Sequence, residues 1–457
     1  MLFHTWIFAV FFAITYSVFL AIRNTRVWPH WLLLASYVFY GWWNPLYLLL
    51  ILYSTALDYV VGLRLMKSAR RKTWLAFSIV NGLFLLGFFK YGSFVAENVN
   101  VLLAWLGLPL TVPKADILLP VGISFYTFQS MSYAIDVYRR QIDAERNFVR
   151  FALYVAFFSQ LVAGPIERAT HLLPQIRAMR AVRPENIATG LSFVVAGLFK
   201  KMALADFLSL YVDSVYRAPM QFDSLSLILA TYAFAWQIYF DFSGYSDMAR
   251  GLAKMMGFDL VVNFRNPYLA TSLGDFWRRW HISLSTWFRD YVYIPMGGNR
   301  KGVPRTYLNV FLTMLICGVW HGANWTFVVW GLLHAAGQAV TRRWEAAPFY
   351  ERIPRIVRQA LVFHFVCLGW VFFRAGSLEQ ALLILKRIVS TPLHDPRFPI
   401  VALALCAAVW LHQWISESRL SGVLQLRVVR MGAVLFALLY LIFFARSGNA
   451  PFIYFQF

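Results

Sequence analysis

Apolar runs recur along the whole chain, at about 2–22, 31–43, 46–63, 74–90, 117–137, 151–163, 188–213, 225–241, 307–320, 325–341, 357–375, 398–414 and 431–446. The polar stretches between them are short and mostly basic. A spanning helix needs roughly 20 apolar residues. Several runs are shorter and read as tilted or re-entrant pieces, covered by protein or lining a water-filled cavity. The pattern predicts an all-α polytopic membrane protein of about ten to twelve spans with re-entrant segments. It forms one integral-membrane domain over residues 1–457, without internal repeat, low-complexity linker or soluble-domain boundary. The first run has no basic residue ahead of it, and Arg23 and Arg26 follow it. With no small-residue cleavage site it reads as a retained helix rather than a removed signal peptide.

Composition agrees: 60% of residues are hydrophobic and 14% charged, which no soluble globular domain needs. Lys and Arg number 42 against 21 Asp and Glu, for a net charge of +21. Arg64, Lys67, Arg70, Arg71 and Lys72 form one basic loop. Others are Arg139 to Arg150, Arg168 to Arg183, Arg278 to Arg305 and Arg342 to Arg358. The positive-inside rule assigns all of these to the cytoplasm. Walking outward from them puts both termini, residues 91–116 and residues 376–397 on the far side. The last stretch, with Lys386, Arg387, His394, Asp395 and Arg397, reads as an amphipathic surface helix and a loop. Attraction to anionic membrane lipids accounts for the charge better than nucleic acid does; a minority of the basic residues could face a phosphate-bearing donor from the cytosol. Cys317, Cys367 and Cys406 lie in apolar runs without metal-ligand spacing and read as buried free thiols, with no metal site.

The chemistry concentrates between Asp241 and His321. The stretch Asp241-Phe242-Ser243-Gly244-Tyr245-Ser246-Asp247-Met248-Ala249-Arg250 carries two carboxylates, two serines and a glycine. It reads as a break that lines a cavity, or as a helix end where Ser243 or Asp247 caps the next helix; the two are compatible. Further on, the run from Tyr307 reaches His321 in fourteen residues or about 21 Å, less than the roughly 30 Å hydrocarbon core. A second run starts near Trp325 and returns to Arg342 and Arg343. His321-Gly322-Ala323-Asn324 therefore reads as the tip of a hairpin inside the membrane, where Gly318 and Gly322 allow close approach of backbone or substrate. An intramembrane imidazole is costly and is a functional candidate on that ground; the alternative is a histidine bonded to a carbonyl in a packed core.

His281 sits in the basic, aromatic run Asp275-Phe276-Trp277-Arg278-Arg279-Trp280-His281. Trp277, Trp280, Trp287 and Tyr291 give the segment an interfacial belt. There the histidine either faces headgroups from an anchoring helix or stands at the cytoplasmic mouth of a tunnel ending at His321. The glycine turn Pro295-Met296-Gly297-Gly298-Asn299-Arg300 is a weak candidate for contacts to donor phosphates.

A neutral imidazole in a dry tunnel suits general-base activation of a hydroxyl for acyl transfer. Asn324, Trp320 or backbone amides are candidate donors to the developing oxyanion. No Gly-x-Ser-x-Gly elbow, Walker loop, His-Glu-x-x-His or zinc spacing occurs. Serine-hydrolase, ATP-driven transport and metalloprotease readings therefore lack support. Pumps also use intramembrane histidines, so a transporter or flippase of a lipid-linked sugar stays open, although two matched halves with broken helices are absent.

An ordered set of motifs spans most of the chain: Tyr37-Val38-Phe39-Tyr40-Gly41-Trp42, Leu119-Pro120-Val121-Gly122-Ile123-Ser124-Phe125-Tyr126-Thr127-Phe128-Gln129, Val162-Ala163-Gly164-Pro165-Ile166, the Asp241–Ala249 stretch, Asn263-Phe264-Arg265-Asn266-Pro267-Tyr268, Phe276–His281, Trp320-His321-Gly322-Ala323 and Trp370-Val371-Phe372-Phe373-Arg374-Ala375. In these the chain resembles the membrane-bound O-acyltransferase (MBOAT) family, in the bacterial polysaccharide branch typified by the alginate O-acetyltransferase membrane subunit. The resemblance implies a ring of tilted helices around a thinned centre crossed by a tunnel, with a catalytic core at about 117–345. It implies that His321 is the family's invariant histidine and His281 its second, cytoplasmic-side one. Trp320, Asn324, Asp241, Ser243, Asp247, Trp277 and Arg278 would line or support the tunnel.

The resemblance also implies a cytoplasmic acyl donor, acetyl-CoA, and no permanently bound cofactor. The acetyl group would pass across the bacterial inner membrane for O-acetylation of an extracytoplasmic polysaccharide such as alginate. The chain ends soon after Arg446 without an appended soluble domain. The expected partner, a periplasmic serine-hydrolase-like acetyltransferase or another polysaccharide-modification protein, would then be a separate chain. Within the family, the teichoic acid D-alanyl transferase branch is the alternative: it shares both histidines and draws its acyl group from a carrier-protein thioester.

Overall fold

The computed structural model describes residues 1–114, 120–161, 164–179, 181–394, 396–444 and 452–453. Leu119, Val162, Ala163, Asp395 and Arg446, singled out in the sequence, lie outside the described residues. Every regular element among the described residues is helical. In chain order these are α1 (Trp6–Ile22), α2 (Trp28–Gly41), α3 (Leu46–Lys67), α4 (Arg71–Leu86), α5 (Gly92–Trp105), α6 (Ile123–Tyr138), α7 (Phe148–Ala156), α8 (Phe158–Leu161), α9 (Ala169–Arg177), α10 (Pro184–Leu198) and α11 (Asp206–Arg217). They continue as α12 (Ser224–Met255), α13 (Leu273–Arg279), α14 (Ile282–Phe288), α15 (Val303–His321), α16 (Trp325–Glu345), α17 (Phe349–Arg352), α18 (Arg355–Arg374), α19 (Leu378–Ser390), α20 (Ile400–Ser416) and α21 (Arg427–Phe444).

Among the described residues, six stretches are long and apolar enough to cross a membrane: Leu46–Lys67, Arg71–Trp105, Pro184–Arg217, Ser224–Met255, Val303–His321 and Arg355–Arg374. A seventh is gained if α20 and the 3₁₀ turn Arg419–Gln425, bent by 112°, count as one. The chain is a multi-pass membrane protein. Trp6–Ile22 and Phe148–Leu161 are apolar but shorter. They account in part for the larger number of spans that hydropathy alone suggests. Two of the long spans pass through a π-turn, Gly87–Tyr91 and Phe199–Ala205. Such turns mark places where a helix accommodates an extra residue, often near function.

Contacts divide the chain into two compact units, Met1–Leu191 with Ala249–Val261, and Ser192–Met248 with Val262–Phe457. In the first, α3 packs on α4 and α6. Gly62 makes this approach possible, because a β-carbon there would collide with the Tyr133 ring. Asp58 is buried in the same layer and accepts a hydrogen bond from Ser78 at 2.7 Å, as a carboxylate taken out of water requires.

The second unit holds every candidate site residue. Its longest element, α12, corrects the reading of the Asp241–Arg250 stretch. The helix does not end there; it runs unbroken for 32 residues. Ser243 and Asp247 are mid-helix and cap nothing. Gly244 serves helix packing instead: a β-carbon at Gly244 would meet the carbonyl of Gly197 on α10, and one at Gly197 would meet the carbonyl of Gly244. Two glycines face to face let these backbones touch, as small residues do between membrane helices.

Candidate active site

The hairpin forms as expected, with α15 and α16 joined by Gly322, Ala323 and Asn324. Its arms are held close by Gly318 and Gly331, where β-carbons would strike the carbonyls of Phe327 and Met314. One expectation changes. The helix begins at Val303, before its apolar run, and has 19 residues, which is about 28 Å. Helix length therefore does not by itself leave the tip inside the hydrocarbon. What keeps His321 from water is its neighbours. The residue is 4% exposed, and its ring lies edge-on to Trp320 at 4.9 Å, Trp330 at 5.0 Å and Phe373 at 5.2 Å.

His281 occupies a different construction. It sits in the break between α13 and α14, each seven residues long, with a left-handed backbone at φ 42°. That conformation is uncommon for a side-chain-bearing residue and persists only when its surroundings impose it. The clamp is Asn263. Its carbonyl accepts from Ile282 N at 2.9 Å, its side-chain oxygen accepts from Ser283 N and Oγ at 3.3 and 2.7 Å, and its amide donates to Ser246 Oγ at 3.2 Å. Arg265 N donates to the Arg279 carbonyl at 3.0 Å. Arg279 pairs with Asp275 at 3.0 Å and with Glu417. The Asn263–Tyr268 and Phe276–His281 motifs are thus two halves of one loop lock. The lock buries His281 completely, so it does not face headgroups from an anchoring helix. The burial pushes its pKa down to about 3, and the ring is neutral at physiological pH.

An unbroken file of rings joins the two histidines. His281 meets Phe242 at 4.6 Å, Phe242 meets Phe264 at 5.0 Å, and Phe264 meets Trp280 at 5.1 Å. Trp280 meets Trp370 at 5.1 Å, Trp370 meets Phe373 at 5.2 Å, and Phe373 meets His321 at 5.2 Å. These centroid distances are those of favourable aromatic pairs. The result is an apolar wall with an imidazole at each end.

Not every residue singled out in the sequence belongs to this wall. Trp320 lies against His321, and Trp277 packs on Trp330 at 5.7 Å. Asn324 is at the tip but is committed to it: its side-chain oxygen accepts from Thr326 N at 3.0 Å and its amide donates to the Gly376 carbonyl at 2.9 Å. This is a helix N-cap, which leaves the oxyanion role to other donors. Arg278 points outward, with 72% of its side chain exposed, 3.9 Å from Asp275. Asp247 pairs with Lys200 at 2.6 Å. Ser243 is buried within α12.

Trp330 and His334 pass unnoticed in the sequence, and Trp370 enters there only within a motif. Trp330 and Trp370 are buried, and neither indole N–H has an acceptor among the described residues. His334, one turn beyond Trp330, is fully buried between Trp330 at 4.7 Å and Trp277 at 5.2 Å. Neither of its ring nitrogens has a hydrogen-bond partner among the described residues. Buried polar groups are nearly always satisfied, so three unsatisfied ones gathered around Trp330, itself against His321, are an unusual concentration. The Trp330-to-His334 spacing, one helical turn next to Gly331, was the available signal.

The other omission is Lys201, buried in the π-turn before α11. It holds Asp206 and Asp241 at 2.8 Å each. Asp241 also accepts from Ile453 N at 2.6 Å. Phe452 packs on Phe242 at 5.5 Å and Tyr245 at 4.7 Å. A lysine within the apolar run 188–213 was visible in the sequence as an intramembrane charge.

Buried imidazoles and indole N–H groups thus share one aromatic shell, carried on the helices of a multi-pass membrane protein. Residues 139–375 match the membrane-bound O-acyltransferase family. The chain is 44% identical over 358 residues to the probable alginate O-acetylase AlgI of Pseudomonas aeruginosa, covering 77% of this chain and 67% of that one. It is 37% identical over 406 residues to the peptidoglycan O-acetyltransferase of Helicobacter pylori, covering 82% and 76%. It is 27% identical over 282 residues to the teichoic acid D-alanyltransferase of Bacillus subtilis, covering 57% and 70%. The chain belongs to the membrane-bound O-acyltransferase family, in the alginate O-acetylase branch, and is an O-acyltransferase.

Proposed function

We propose that the protein takes an acetyl group from acetyl-CoA on the cytoplasmic side of the bacterial inner membrane and delivers it outward for O-acetylation of an extracytoplasmic polysaccharide. The observation that carries this reading is His321, buried at the hairpin turn with its ring edge-on to Trp330, whose indole N–H has no acceptor among the described residues. His321 takes the proton of the acceptor hydroxyl as its oxygen attacks the acyl carbonyl. A carbon–oxygen bond forms, the carbon–sulfur bond of the thioester breaks, and the departing thiolate takes the proton from His321. The charge developing on the carbonyl oxygen meets the indole N–H of Trp330 or Trp370, donors worth most where water is excluded.

Direction follows from charge. The basic segment Arg300 to Arg305 runs into the first turn of α15, and the positive-inside rule assigns it to the cytoplasm. His321 lies sixteen residues further on, about 24 Å along the helix, towards the far side. His281 stands at the other end of the ring file, where an incoming donor would first meet the wall. Both chain ends are then extracytoplasmic. The acetyl donor is supported by the relatives at 44% and 37% identity, whose names are an O-acetylase and an O-acetyltransferase, against 27% for the D-alanyltransferase. Those names differ in polymer, so alginate is one member of the acceptor class. A separate extracytoplasmic acetyltransferase is the expected recipient of the acetyl group.

The donor is tested by release of free thiol from acetyl-CoA by the purified protein, in the presence of an oligosaccharide acceptor. Thiol release by wild type and not by His321→Ala supports acetyl-CoA. Turnover only with a D-alanyl-loaded carrier protein would transfer the chain to the other branch.

A further inference from the structure

Within the first unit, three basic segments far apart in sequence close around one cavity of about 390 Å³. Arg26 and His30 come from the turn before α2 and its start, Arg150 from the first turn of α7, and Arg177 from the end of α9. No acidic side chain is among the residues that line it. Arg177 is held by Glu145 through Nε at 2.6 Å. Arg26 and Arg150 have no carboxylate partner among the described residues. Trp28 and Pro29 form an apolar part of the wall, and Asn147 and Thr25 add polar atoms.

Two helices also begin here, α2 at Trp28 and α7 at Phe148. Their N-terminal amides and dipoles favour an anion; alone they would carry nothing, but they add to the arginines. The α9 end contributes carbonyls of the opposite sense, which the Arg177 guanidinium offsets. Like charges gathered around a cavity repel one another unless an anion joins them. Arginine is the side chain suited to phosphate, through its planar set of donors.

We propose that this cavity is a binding site for a phosphate-bearing anion carrying two or more phosphate charges. Two of its three contributing segments, Arg139 to Arg150 and Arg168 to Arg183, are among those that the positive-inside rule places on the cytoplasmic face. Two sources there share the chemistry: the phosphates of a nucleotide-based acyl donor, and the headgroup of an anionic lipid. Only the nucleotide source rests on the acetyl-CoA reading. Binding is measured without turnover, so failure of this site and failure of that reading are separable.

The test is calorimetric titration of inorganic pyrophosphate into the purified full chain in lipid-free detergent. Saturable binding is expected. It should weaken roughly ten-fold or more in Arg26→Gln/Arg150→Gln, and stay unchanged in Arg427→Gln, an exposed arginine outside this unit. Monodispersity on size exclusion checks that the variants remain folded, since both replaced side chains are at least partly exposed. Absence of saturable binding to wild type, or equal binding to the double variant, overturns the proposal. The source is separated by repeating the titration in nanodiscs. Loss of pyrophosphate binding when phosphatidylglycerol replaces phosphatidylcholine identifies the lipid headgroup. Retained binding, with tighter binding of adenosine 3′,5′-bisphosphate, identifies the nucleotide.

Discussion

The second unit buries polar groups in two opposite ways. Around Lys201 the groups are charged and answer one another: one ammonium, two carboxylates at 2.8 Å, and a backbone N–H on Asp241. Around His321 the Trp330 and Trp370 N–H groups and the His334 ring lack acceptors or donors among the described residues. A compensated cluster fixes structure. An uncompensated one spends stability, and such a cost persists where a substrate completes the bonding. The contrast separates a cluster that holds helices in place from the region where the proposed chemistry would occur.

That comparison can be broken by four substitutions or titrations. The largest effect is expected for Lys201→Met, which strands Asp206 and Asp241 in the interior. Removing one partner of a buried pair costs about 3–5 kcal/mol, so the thermal midpoint should fall steeply, with residual activity in proportion to folded protein. An unchanged midpoint would mean that the charges are not a structural unit. Next comes Trp330→Phe, which keeps the ring and deletes the N–H. Loss of one oxyanion donor costs roughly a hundred-fold in turnover, and KM and stability should be nearly unmoved. If turnover holds, Trp370 or a backbone amide is the donor instead.

The third concerns His281, whose pKa is 6.5 when unperturbed and about 3 in the fold. Between those values the unfolded chain takes up a proton that the folded chain refuses. The stability tied to this neutral ring is therefore full above about pH 6.5 and is lost as the pH falls, by about 1.4 kcal/mol per unit. Melting curves should show wild type losing more than His281→Gln between pH 6.5 and pH 5. Parallel losses would contradict the burial of His281. The smallest effect is expected for His334→Phe. It fills the aromatic box without unsatisfied nitrogens, so the melting temperature should hold or rise, while transfer falls about ten-fold. Full activity in that variant would make His334 a packing residue.

Much of this was legible in the sequence, and what was not has identifiable causes. The hairpin was marked by two apolar runs meeting at Gly322 and Asn324; the turn forms there, while the first arm starts earlier than its apolar run, at Val303. The break read at Asp241–Arg250 was an error of a particular kind. Ser, Gly and Asp usually signal turns because they favour local alternatives to the helix. Here their polarity is absorbed by partners distant in sequence: Lys200, Lys201, Asn263 and the backbone of Gly197. Only the tertiary fold reveals such compensation. Asn324 was singled out for its amide, but its position before Thr326 made it a cap. The ring file was present as composition, 18% aromatic, yet its order depends on which helix faces meet.

The central claim is that His321 works at the heart of an acetyl-transferring site. It is tested most directly by transfer of radiolabelled acetyl from acetyl-CoA to acceptor in proteoliposomes, comparing wild type with His321→Ala at equal folded protein. The expected result is transfer by wild type and a loss of at least about a hundred-fold in the variant, with an unchanged melting temperature. Equal transfer by both proteins would contradict the account.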